Sequence, residues 1–368
     1  MAEQLRMIGV GGLGLMLGPS SKHLSGADSP ARFLRMHDRG TLDERRNALR
    51  GDWAAHGAEL VSDFDALVGD GDFEVIVVCA AKNGSDLEIF RALAPIVAER
   101  CAGPVTIVHL STVSAGFVRA AQEFWARFGC VYVCYPLTGG PKGANDKSML
   151  MLASGPKGVY DWLLPMLSRI GAPKYLGEDI AAGAIVKLVG QMKVFNGLQG
   201  SASAVAAHAA AFLSGVVGGE QQAAFFDFLN GGAGGTRQWD VAMRQGVADD
   251  VWDQGFMAEH AAVDAVYTAQ MALEQGLPYE ACVRPMLLMA AELAFIMTQY
   301  DGSLSLATHA IVKAFLAQSA GLLDDFLGNV LSKRGGSPEA VIQQVINALP
   351  VDVRQSVMLD ITAADFAA

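Results

Sequence analysis

The sequence predicts an α/β fold, with a Rossmann-type doubly wound domain at residues 1–178 and an all-helical domain at residues 179–368. Three observations predict it. Short β-branched runs alternate with helical segments through the first half of the chain, which is typical of a parallel sheet with helices on both faces. A glycine-rich turn directly follows the first predicted strand. From Ile180 onward long Ala-rich helical segments follow one another, and no strand is predicted.

The composition indicates a folded protein with an acidic balance. The chain has 368 residues, of which 52 % are hydrophobic and 18 % charged, which argues against disorder. A net charge of −11 disfavours nucleic acid or an anionic membrane as the main partner. No signal peptide and no membrane-spanning run is predicted, and five scattered cysteines without zinc-ligand spacing predict inert thiols and no metal site. We therefore expect a cytoplasmic protein.

The glycine-rich turn after the predicted strand Leu5–Val10 has the spacing G-x-G-x-x-G. Glycines here permit a tight strand-to-helix turn and the close approach of a pyrophosphate to free N–H groups at the start of a helix. A merely structural turn is the alternative, but the position between a strand and a helix favours a dinucleotide site. The predicted cofactor-binding residues of this turn are Gly9, Gly11, Gly12, Leu13 and Gly14.

The second predicted strand, Phe33–His37, ends at an acidic residue that bears on the choice of cofactor. A carboxylate at this point, here Asp38, accepts hydrogen bonds from the adenine ribose and repels a 2′-phosphate, which favours NAD. Arg39 follows at once and could hold a 2′-phosphate, so NADP stays open. The polar stretch Gly18–Pro30, which precedes this strand, is predicted to form an inserted loop.

The remaining elements are predicted from runs of β-branched residues and from helical periodicity. In the first domain they are a helix from Thr41, a possible strand Ala58–Val61, strands Glu74–Ala80, Val105–Leu110, Val131–Tyr135, Met149–Ala153 and Lys174–Leu176, and helices Ser85–Arg100, Ala115–Phe128 and Gly158–Ile170. In the second they are helices Ile180–Gly215, Glu220–Leu229, Phe256–Gln275, Tyr279–Tyr300, Ala307–Leu327 and Pro338–Ala348, with a flexible connection at Gly231–Trp239.

Two further turns follow predicted strands and are expected at the ligand-binding edge of the sheet. One comprises Ser111 and Thr112, and the other comprises Thr138, Gly139 and Gly140. The second turn offers a hydroxyl and two unencumbered backbone N–H groups, which suit a carboxylate, although a turn that merely needs glycines is the alternative. The sequence therefore predicts a small substrate that carries a carboxylate.

A single lysine interrupts the apolar start of the second domain. Lys187 is the only charged residue between Ile180 and Met192, and it shares a helix face with small residues and with Gln191. Burial lowers the pKa of a lysine toward the working range, so Lys187 could accept a hydroxyl proton in oxidation and donate one in reduction. Gln191 could hydrogen-bond the same oxygen. A lysine that snorkels out of a core helix is the alternative.

Four motifs in this order resemble those of the β-hydroxyacid dehydrogenase family, which includes 3-hydroxyisobutyrate, tartronate semialdehyde and 6-phosphogluconate dehydrogenases. They are GVGGLG, STVSAG, YPLTGGPKGA and AAGAIVKLVGQ, and the resemblance covers residues 5 to about 315. It implies that Lys187 is the catalytic acid/base and that the Thr138–Gly140 turn binds the substrate carboxylate. It also implies that Ser111 and Thr112 line the nicotinamide side, with Ser111 at the substrate and Thr112 at the cofactor, and that the protein is a homodimer or homotetramer.

The chain departs from the family pattern near the lysine and again further on. Gln191 replaces the usual asparagine, and Val263–Asp264 replaces a Lys-Asp pair, so a cofactor-side lysine is missing unless His260 compensates. These changes predict a substrate other than the small hydroxyacids. An imine reductase-like enzyme and a non-catalytic dinucleotide-binding sensor are the alternatives, and the retention of Lys187 argues against both. Residues after about 320 exceed the usual family length and could serve assembly.

Overall fold

The computed structural model describes residues 4–11, 14–24, 26, 28–38, 44–55, 57–80, 83–300, 304–332 and 336–366. The chain forms two compact units. The first comprises Met1–Lys187 together with Met358–Ala368, and the second comprises Leu188–Val357. The sequence predicts a boundary at residue 178, with the helical domain after it. The compact units divide after Lys187, within the helix that carries it, and the last residues belong to the first unit.

A six-stranded sheet forms the centre of the first unit. Its strands are β1 Leu5–Val10, β2 Ala31–His37, β3 Glu59–Val61, β4 Val75–Val78, β5 Thr106–His109 and β6 Val131–Cys134. All neighbouring strands pair in parallel, in the order β3-β2-β1-β4-β5-β6. The order reverses between β1 and β4, which is the topological switch point where such sheets bind ligands. The predicted Rossmann-type sheet is confirmed.

The helices that connect these strands follow the prediction except near the amino terminus and at the third helix, which the sequence did not predict. They are α1 Leu17–Ser21, α2 Glu44–Ala55, α3 Phe64–Val68, α4 Asn83–Arg100 and α5 Ala115–Ala126. The predicted inserted loop Gly18–Pro30 is wrong at its start, because α1 and a 3-10 turn, Lys22–Leu24, occupy that stretch. Ser20 and Ser21 are buried there, and their hydroxyls donate to backbone carbonyls three or four residues earlier. The polar residues that indicated a loop are therefore satisfied inside a helix.

A second, three-stranded sheet follows in the same unit. Its elements are β7 Leu137–Thr138, α6 Gly140–Asp146, β8 Met149–Ala153, α7 Lys157–Ile170 and β9 Gly171–Tyr175. Strands β7 and β8 are antiparallel, and β8 and β9 are parallel. The sequence predicted β8, α7 and a strand near β9, but neither β7 nor α6. Both lie in the Thr-Gly-Gly region, whose glycines and proline had indicated only a turn.

The carboxyl-terminal segment of the chain contributes to the core of the first unit. Phe366 is 2 % exposed, and its ring packs against Phe90, Phe117 and Phe124 with centroid distances of 5.0–6.1 Å. Such aromatic pairs contribute about 0.5–1.5 kcal/mol each beyond the burial of their area. The residues from Met358 onward therefore fold with the first unit, a role that the sequence did not predict for them.

The second unit is helical throughout its described residues. Its helices are α8 Ala182–Phe212, which begins in the first unit, α9 Glu220–Asn230, α10 Arg244–Asp249, α11 Ala258–Glu274, α12 Arg284–Phe295, α13 Ile311–Ala314, α14 Ala317–Val330, α15 Pro338–Ala348 and α16 Val351–Arg354. The predicted helix Ala307–Leu327 is wrong in being continuous, because α13 ends before Phe315 and α14 begins at Ala317. The predicted connection Gly231–Trp239 leads into a π-helical turn, Trp239–Met243, and then α10.

One stretch of the second unit meets the length and hydropathy of a membrane span, contrary to the sequence prediction that no run would. It is Tyr279–Tyr300, with a mean hydropathy of 1.6, and it comprises α12 flanked by π-helical turns. Of its most apolar window, 67 % is buried inside the protein, as is typical of a core helix.

Candidate functional site

The glycine-rich turn lies at the carboxyl end of β1, beside β4. Gly11 adopts φ +80°, and a Cβ added there would lie 2.2 Å from the carbonyl oxygen of Cys79. Only glycine therefore allows this turn to pack against the end of β4. Gly14 donates its N–H to the carbonyl of Gly11 at 3.0 Å, which closes the turn, whereas Gly12 and Leu13 lie outside the described residues.

The helix after this turn is short. α1 has five residues and begins three residues after Gly14. A helix of one turn has a weak macrodipole, so backbone N–H groups of the turn, rather than a helix dipole, would hold a pyrophosphate. The last residue of β1 pairs with Val78 of β4, so the turn lies at the switch point, where a dinucleotide fits.

The residues expected to choose between NAD and NADP lie one strand away. Asp38 immediately follows β2, which pairs with β1, and its carboxylate is therefore at the same edge of the sheet as the glycine turn. The preceding residue, His37, packs edge-on against Phe64 and bonds the carbonyl of Val61 at 3.2 Å. Arg39, which could favour NADP, lies outside the described residues.

Ser111 joins the ends of two strands and is largely buried. Its hydroxyl accepts the N–H of Ala80, just after β4, at 3.1 Å. It also lies 3.1 Å from the carbonyl of Ala80 and 3.1 Å from Oδ1 of Asp86. These hydrogen bonds join Ser111 to Ala80 and Asp86 within the first unit. Ser111 therefore has a structural role in addition to its predicted role in binding the substrate. Thr112, next to it, is half-buried.

A histidine and an aspartate that the sequence analysis missed lie behind this serine. His109 ends β5 and Asp86 lies in the first turn of α4, and both side chains are 0 % exposed. Nε2 of His109 is 3.2 Å from Oδ1 of Asp86. Burial alone would lower the pKa of His109, but the charge of Asp86 and its hydrogen bond outweigh burial and raise that pKa to about 10. His109 is therefore protonated at neutral pH, with the carboxyl group of Asp86 as its neighbour.

The Thr138–Gly140 turn connects β7 to α6. Thr138 is half-buried and pairs with Leu150 of β8. Gly139 precedes α6 with φ +136°, and a Cβ at Gly140 would meet no atom within 4 Å. The turn therefore combines the Thr138 hydroxyl with the backbone N–H groups of Gly139 and Gly140, which are donors of the kind that an anion-binding site uses.

The start of α8 is fixed against the ends of two strands in the first unit. Gly183 donates its N–H to Oγ of Ser154, just after β8, at 2.9 Å, and that hydroxyl donates to the carbonyl of Ile180 at 3.0 Å. A Cβ on Gly183 would lie 2.2 Å from the carbonyl oxygen of Leu152 and 3.2 Å from that of Cys134. Only a glycine allows α8 to approach these strands so closely.

Lys187 lies one helical turn beyond this contact. Residues i and i+4 share a helix face, so the lysine is on the same side of α8 as Gly183, which packs against the end of β6. Its side chain is only 8 % exposed. The alternative of a snorkelling lysine expects a solvated ammonium, and the low exposure of the residue is contrary to that expectation.

Gln191 has a partner in the second unit that the sequence did not indicate. Its Nε2 donates to Oδ2 of Asp264 on α11, and both side chains are more than nine-tenths buried. Asp264 follows Val263, and Val263 occupies the position at which the resemblance predicts a lysine. Nε2 of His260 lies 3.6 Å from Oε1 of Glu259, the residue before it. The departures noted in the sequence at Gln191 and Asp264 are thus one hydrogen-bonded pair.

The cysteines are free thiols. Burial, with the charge of Asp86, raises the pKa of Cys79 to about 12, and burial raises that of Cys130 to about 11. Both thiols are therefore protonated and unreactive at neutral pH. Among the described residues, no three His, Cys, Asp or Glu side chains lie together as a metal site.

A family model described as the NAD binding domain of 6-phosphogluconate dehydrogenase matches residues 7–190, which is half of the chain. The match spans the glycine turn, both later turns and Lys187. The chain is 27 % identical over 198 residues to the L-threonate dehydrogenase of Haemophilus influenzae. That alignment covers 54 % of this chain and 60 % of the relative, so the chain spans less than two thirds of that enzyme's length.

Two solved structures share the fold at low identity. The 3-hydroxyisobutyrate dehydrogenase of Salmonella typhimurium has a TM-score of 0.67 at 18 % identity, and the match covers 84 % of this chain and 99 % of that one. An imine reductase of Myxococcus stipitatus, in complex with NADP⁺, has a TM-score of 0.50 at 18 % identity, covering 85 % and 99 %. These likenesses concern the fold alone.

Proposed function

Because the chain belongs to the family of the NAD binding domain of 6-phosphogluconate dehydrogenase, we propose that it is an NAD(P)-dependent oxidoreductase. It transfers a hydride between the nicotinamide and a β-hydroxyacid or a related alcohol/carbonyl substrate, with Lys187 as general acid/base. A nicotinamide cofactor, when bound, supplies the hydride chemistry. The chain supplies binding, orientation and the transfer of the hydroxyl proton.

The observation that carries this proposal is the anchoring of α8. Ser154 and the close contact at Gly183 fix the start of the helix at the ends of β6 and β8. The lysine is therefore on a rigid support, in the unit that also contains the glycine turn and the Thr138–Gly140 turn. A catalytic group must be held to within a fraction of an ångström, and helices hold side chains more tightly than loops do.

Lys187 performs the proton transfer in this proposal. In the direction of oxidation its neutral amine accepts the proton of the substrate hydroxyl. In the direction of reduction its ammonium stabilises the charge that develops on the carbonyl oxygen and then donates the proton. The residue is only 8 % exposed, and a proton-transfer group needs such a site, from which bulk water is largely excluded.

The substrate carboxylate binds at the Thr138–Gly140 turn. The hydroxyl of Thr138 and the backbone N–H groups at the start of α6 are suitable donors to it. Gln191 donates one N–H to Asp264, which leaves its carbonyl oxygen and its second N–H as the groups that can meet a ligand. Gln191 is also longer than asparagine, so a substrate other than the small hydroxyacids remains our proposal.

A broad substrate screen tests the reaction. Purified protein is mixed with NAD⁺ or NADP⁺ and a panel of aldonic and β-hydroxy acids, or with a reduced cofactor and cyclic imines, while nicotinamide absorbance is followed. We expect turnover with a hydroxyacid. Turnover with imines alone would favour the imine reductase-like alternative, and cofactor binding without any turnover would favour the sensor.

For the cofactor we propose NAD rather than NADP, on the strength of Asp38. Its carboxylate at the end of β2 repels a 2′-phosphate. Titration should give tighter binding of NAD⁺ than of NADP⁺, and Asp38→Asn should narrow the difference. A preference for NADP⁺ in the unaltered protein would contradict the role of Asp38.

We also propose a cytoplasmic homodimer or homotetramer. Free cysteines suit a reducing compartment. The second unit exposes large apolar side chains at the end of α8 and on α9, among them Phe212 and Phe228, which is 79 % exposed. Exposed apolar groups of this kind mark protein interfaces. Light scattering of the purified protein tests the assembly, and a monomer at micromolar concentration would contradict it.

A further inference from the structure

A buried polar network lies behind the Ser111–Thr112 turn in the first unit. Ser111 Oγ is 3.1 Å from Asp86 Oδ1, and the same oxygen is 3.2 Å from Nε2 of His109. The other ring nitrogen of His109 bonds the hydroxyl of Tyr132 at 2.8 Å. Asp86 and His109 are wholly buried, and the proton transfer proposed for Lys187 does not use either of them.

This network is linked to the glycine turn through the end of β4. Ser111 bonds both the N–H and the carbonyl of Ala80. The neighbouring Cys79 carbonyl is the atom against which Gly11 packs. The end of β4 therefore has the pyrophosphate turn on one side and the Ser111 turn on the other. At a switch point between β1 and β4, the half of a dinucleotide beyond the pyrophosphate extends toward the ends of β4 and β5.

Stability alone does not account for charges at this place. Desolvating an ion pair costs several kcal/mol per ion, and replacing such a pair by apolar residues is often neutral or stabilising. A charged carboxylate does, however, fix the direction of a hydroxyl. Ser111 has one proton and two acceptors at equal distance, the carbonyl of Ala80 and the carboxylate of Asp86, and a charged acceptor forms the stronger bond.

We propose that Asp86, with His109 as its counterion, is a positioning residue for the Ser111–Thr112 turn and, through it, for the nicotinamide half of the cofactor. The carboxylate orients the Ser111 hydroxyl, which then holds the ends of β4 and β5 in one register around the dinucleotide. This inference rests on the proposed function, because it requires a nicotinamide cofactor.

Two ligands separate this role from general stability. NADH carries the nicotinamide, whereas ADP-ribose shares its adenine half and pyrophosphate but lacks the ring. Affinities for both are measured by calorimetry in the full-length protein, well below the unfolding temperature of each variant. Asp86→Asn removes the charge that orients the Ser111 hydroxyl, and Ser111→Ala removes the hydroxyl itself. Each variant should weaken NADH binding about five- to tenfold and leave the affinity for ADP-ribose unchanged.

The double variant and a matched control sharpen the test. Because both residues act through one hydrogen bond, the double variant should weaken NADH no more than either single one. Tyr132→Phe removes the partner on the other side of the His109 ring and should lower thermal stability without changing the NADH to ADP-ribose ratio. His109→Gln is a second variant of the network for the case that Asp86→Asn does not fold. Like Asp86→Asn, it should weaken NADH binding relative to ADP-ribose binding.

Equal losses for both ligands, or an unchanged ratio in Ser111→Ala and His109→Gln, would overturn the positioning role while leaving the dehydrogenase proposal intact. If the unaltered protein binds neither NADH, NADPH nor ADP-ribose, the proposed function fails, and the positioning role with it.

Discussion

Asp86 in the first unit and Glu292 in the second are both at most 4 % exposed, but their carboxyl groups have opposite kinds of partner. Asp86 in the first unit lies beside His109, which is held protonated. Glu292 in the second unit is 4 % exposed, and its partner is the neutral amide of Gln199, whose Nε2 is 3.1 and 3.0 Å from the two carboxyl oxygens. Burial raises the pKa of Glu292 to about 8, against the smaller opposing effect of that hydrogen bond.

The difference teaches what a partner does for a buried acid. A cationic partner keeps the carboxylate charged, whereas an amide cannot offset desolvation and leaves the acid neutral at pH 7. The charged pair lies next to the proposed cofactor turn, where a fixed charge can orient a hydroxyl. The neutral acid lies between helices of the second unit and acts as an ordinary hydrogen-bonding core group.

The largest effect is expected when one partner is taken from the charged pair. Asp86→Ala leaves His109 without its counterion and should lower the free energy of unfolding by about 3–5 kcal/mol at neutral pH. Urea denaturation, with hydrogen exchange in β5 as the local probe, measures it. Asp146→Ala, which breaks only the exposed pair with Lys142, is the control and should change stability by less than about 1 kcal/mol. Equal losses of stability in Asp86→Ala and Asp146→Ala would show that the buried carboxylate contributes no more than the exposed one.

The pH dependence of the two units should differ as well. The pKa of Glu292 is raised from 4.5 to about 8, so the folded state keeps a proton that the unfolded state releases, and stability of the second unit falls as pH rises through that window. The pKa of His109 is raised from 6.5 to about 10, so its contribution is complete below 6.5 and is lost toward 10.

Glu292→Gln isolates the first of these windows. The variant cannot titrate, so the decline in stability of a few kcal/mol between pH 4.5 and 8 should disappear from α12. The separate decline that His109 causes in β5, which continues above pH 8, should remain unchanged. Hydrogen exchange of the two segments at pH 5, 7 and 9 gives the comparison. A decline that persists in α12 of the variant would show that Glu292 is not its source.

The smallest effect is expected at the amide. Gln199→Met keeps the length of the side chain but removes its hydrogen bond to a neutral acid, which should cost about 1 kcal/mol. Because Glu292 is then less able to ionise, the end of its pH window should move upward. A loss as large as that of Asp86→Ala would mean that Glu292 is charged in the folded state.

The two units also differ in how much of their structure could be predicted from the sequence. The strands of the first unit were predictable because β-branched runs and the glycine spacing are local patterns, and Lys187 stood out as a lone charge. The second unit offered only helical periodicity, so the breaks at Phe315 and in the π-helical turns were missed. Those breaks depend on tertiary packing, which the sequence does not reveal.

The supports of the site could not be predicted, because they join residues far apart in the chain. His109 is one polar residue at the end of an apolar strand, and its partner Asp86 is 23 positions away. In the sequence Gly183 is only one of the small residues on the helix face of Lys187, whereas its contact with Leu152 is what fixes α8. Phe366 lies beyond every motif, so its place in the core of the first unit gave no signal in the sequence.

The most direct test of the central claim is to remove the ammonium of Lys187 and keep its stem. Lys187→Met is compared with Lys193→Met, an exposed lysine on the same helix, by turnover with the best substrate of the screen and by NADH affinity. Lys187→Met should lose about 10²–10⁴-fold in turnover and bind NADH unchanged, whereas Lys193→Met should behave as the unaltered protein. Turnover of Lys187→Met within a few-fold of the unaltered protein would contradict the assignment of Lys187 as the acid/base.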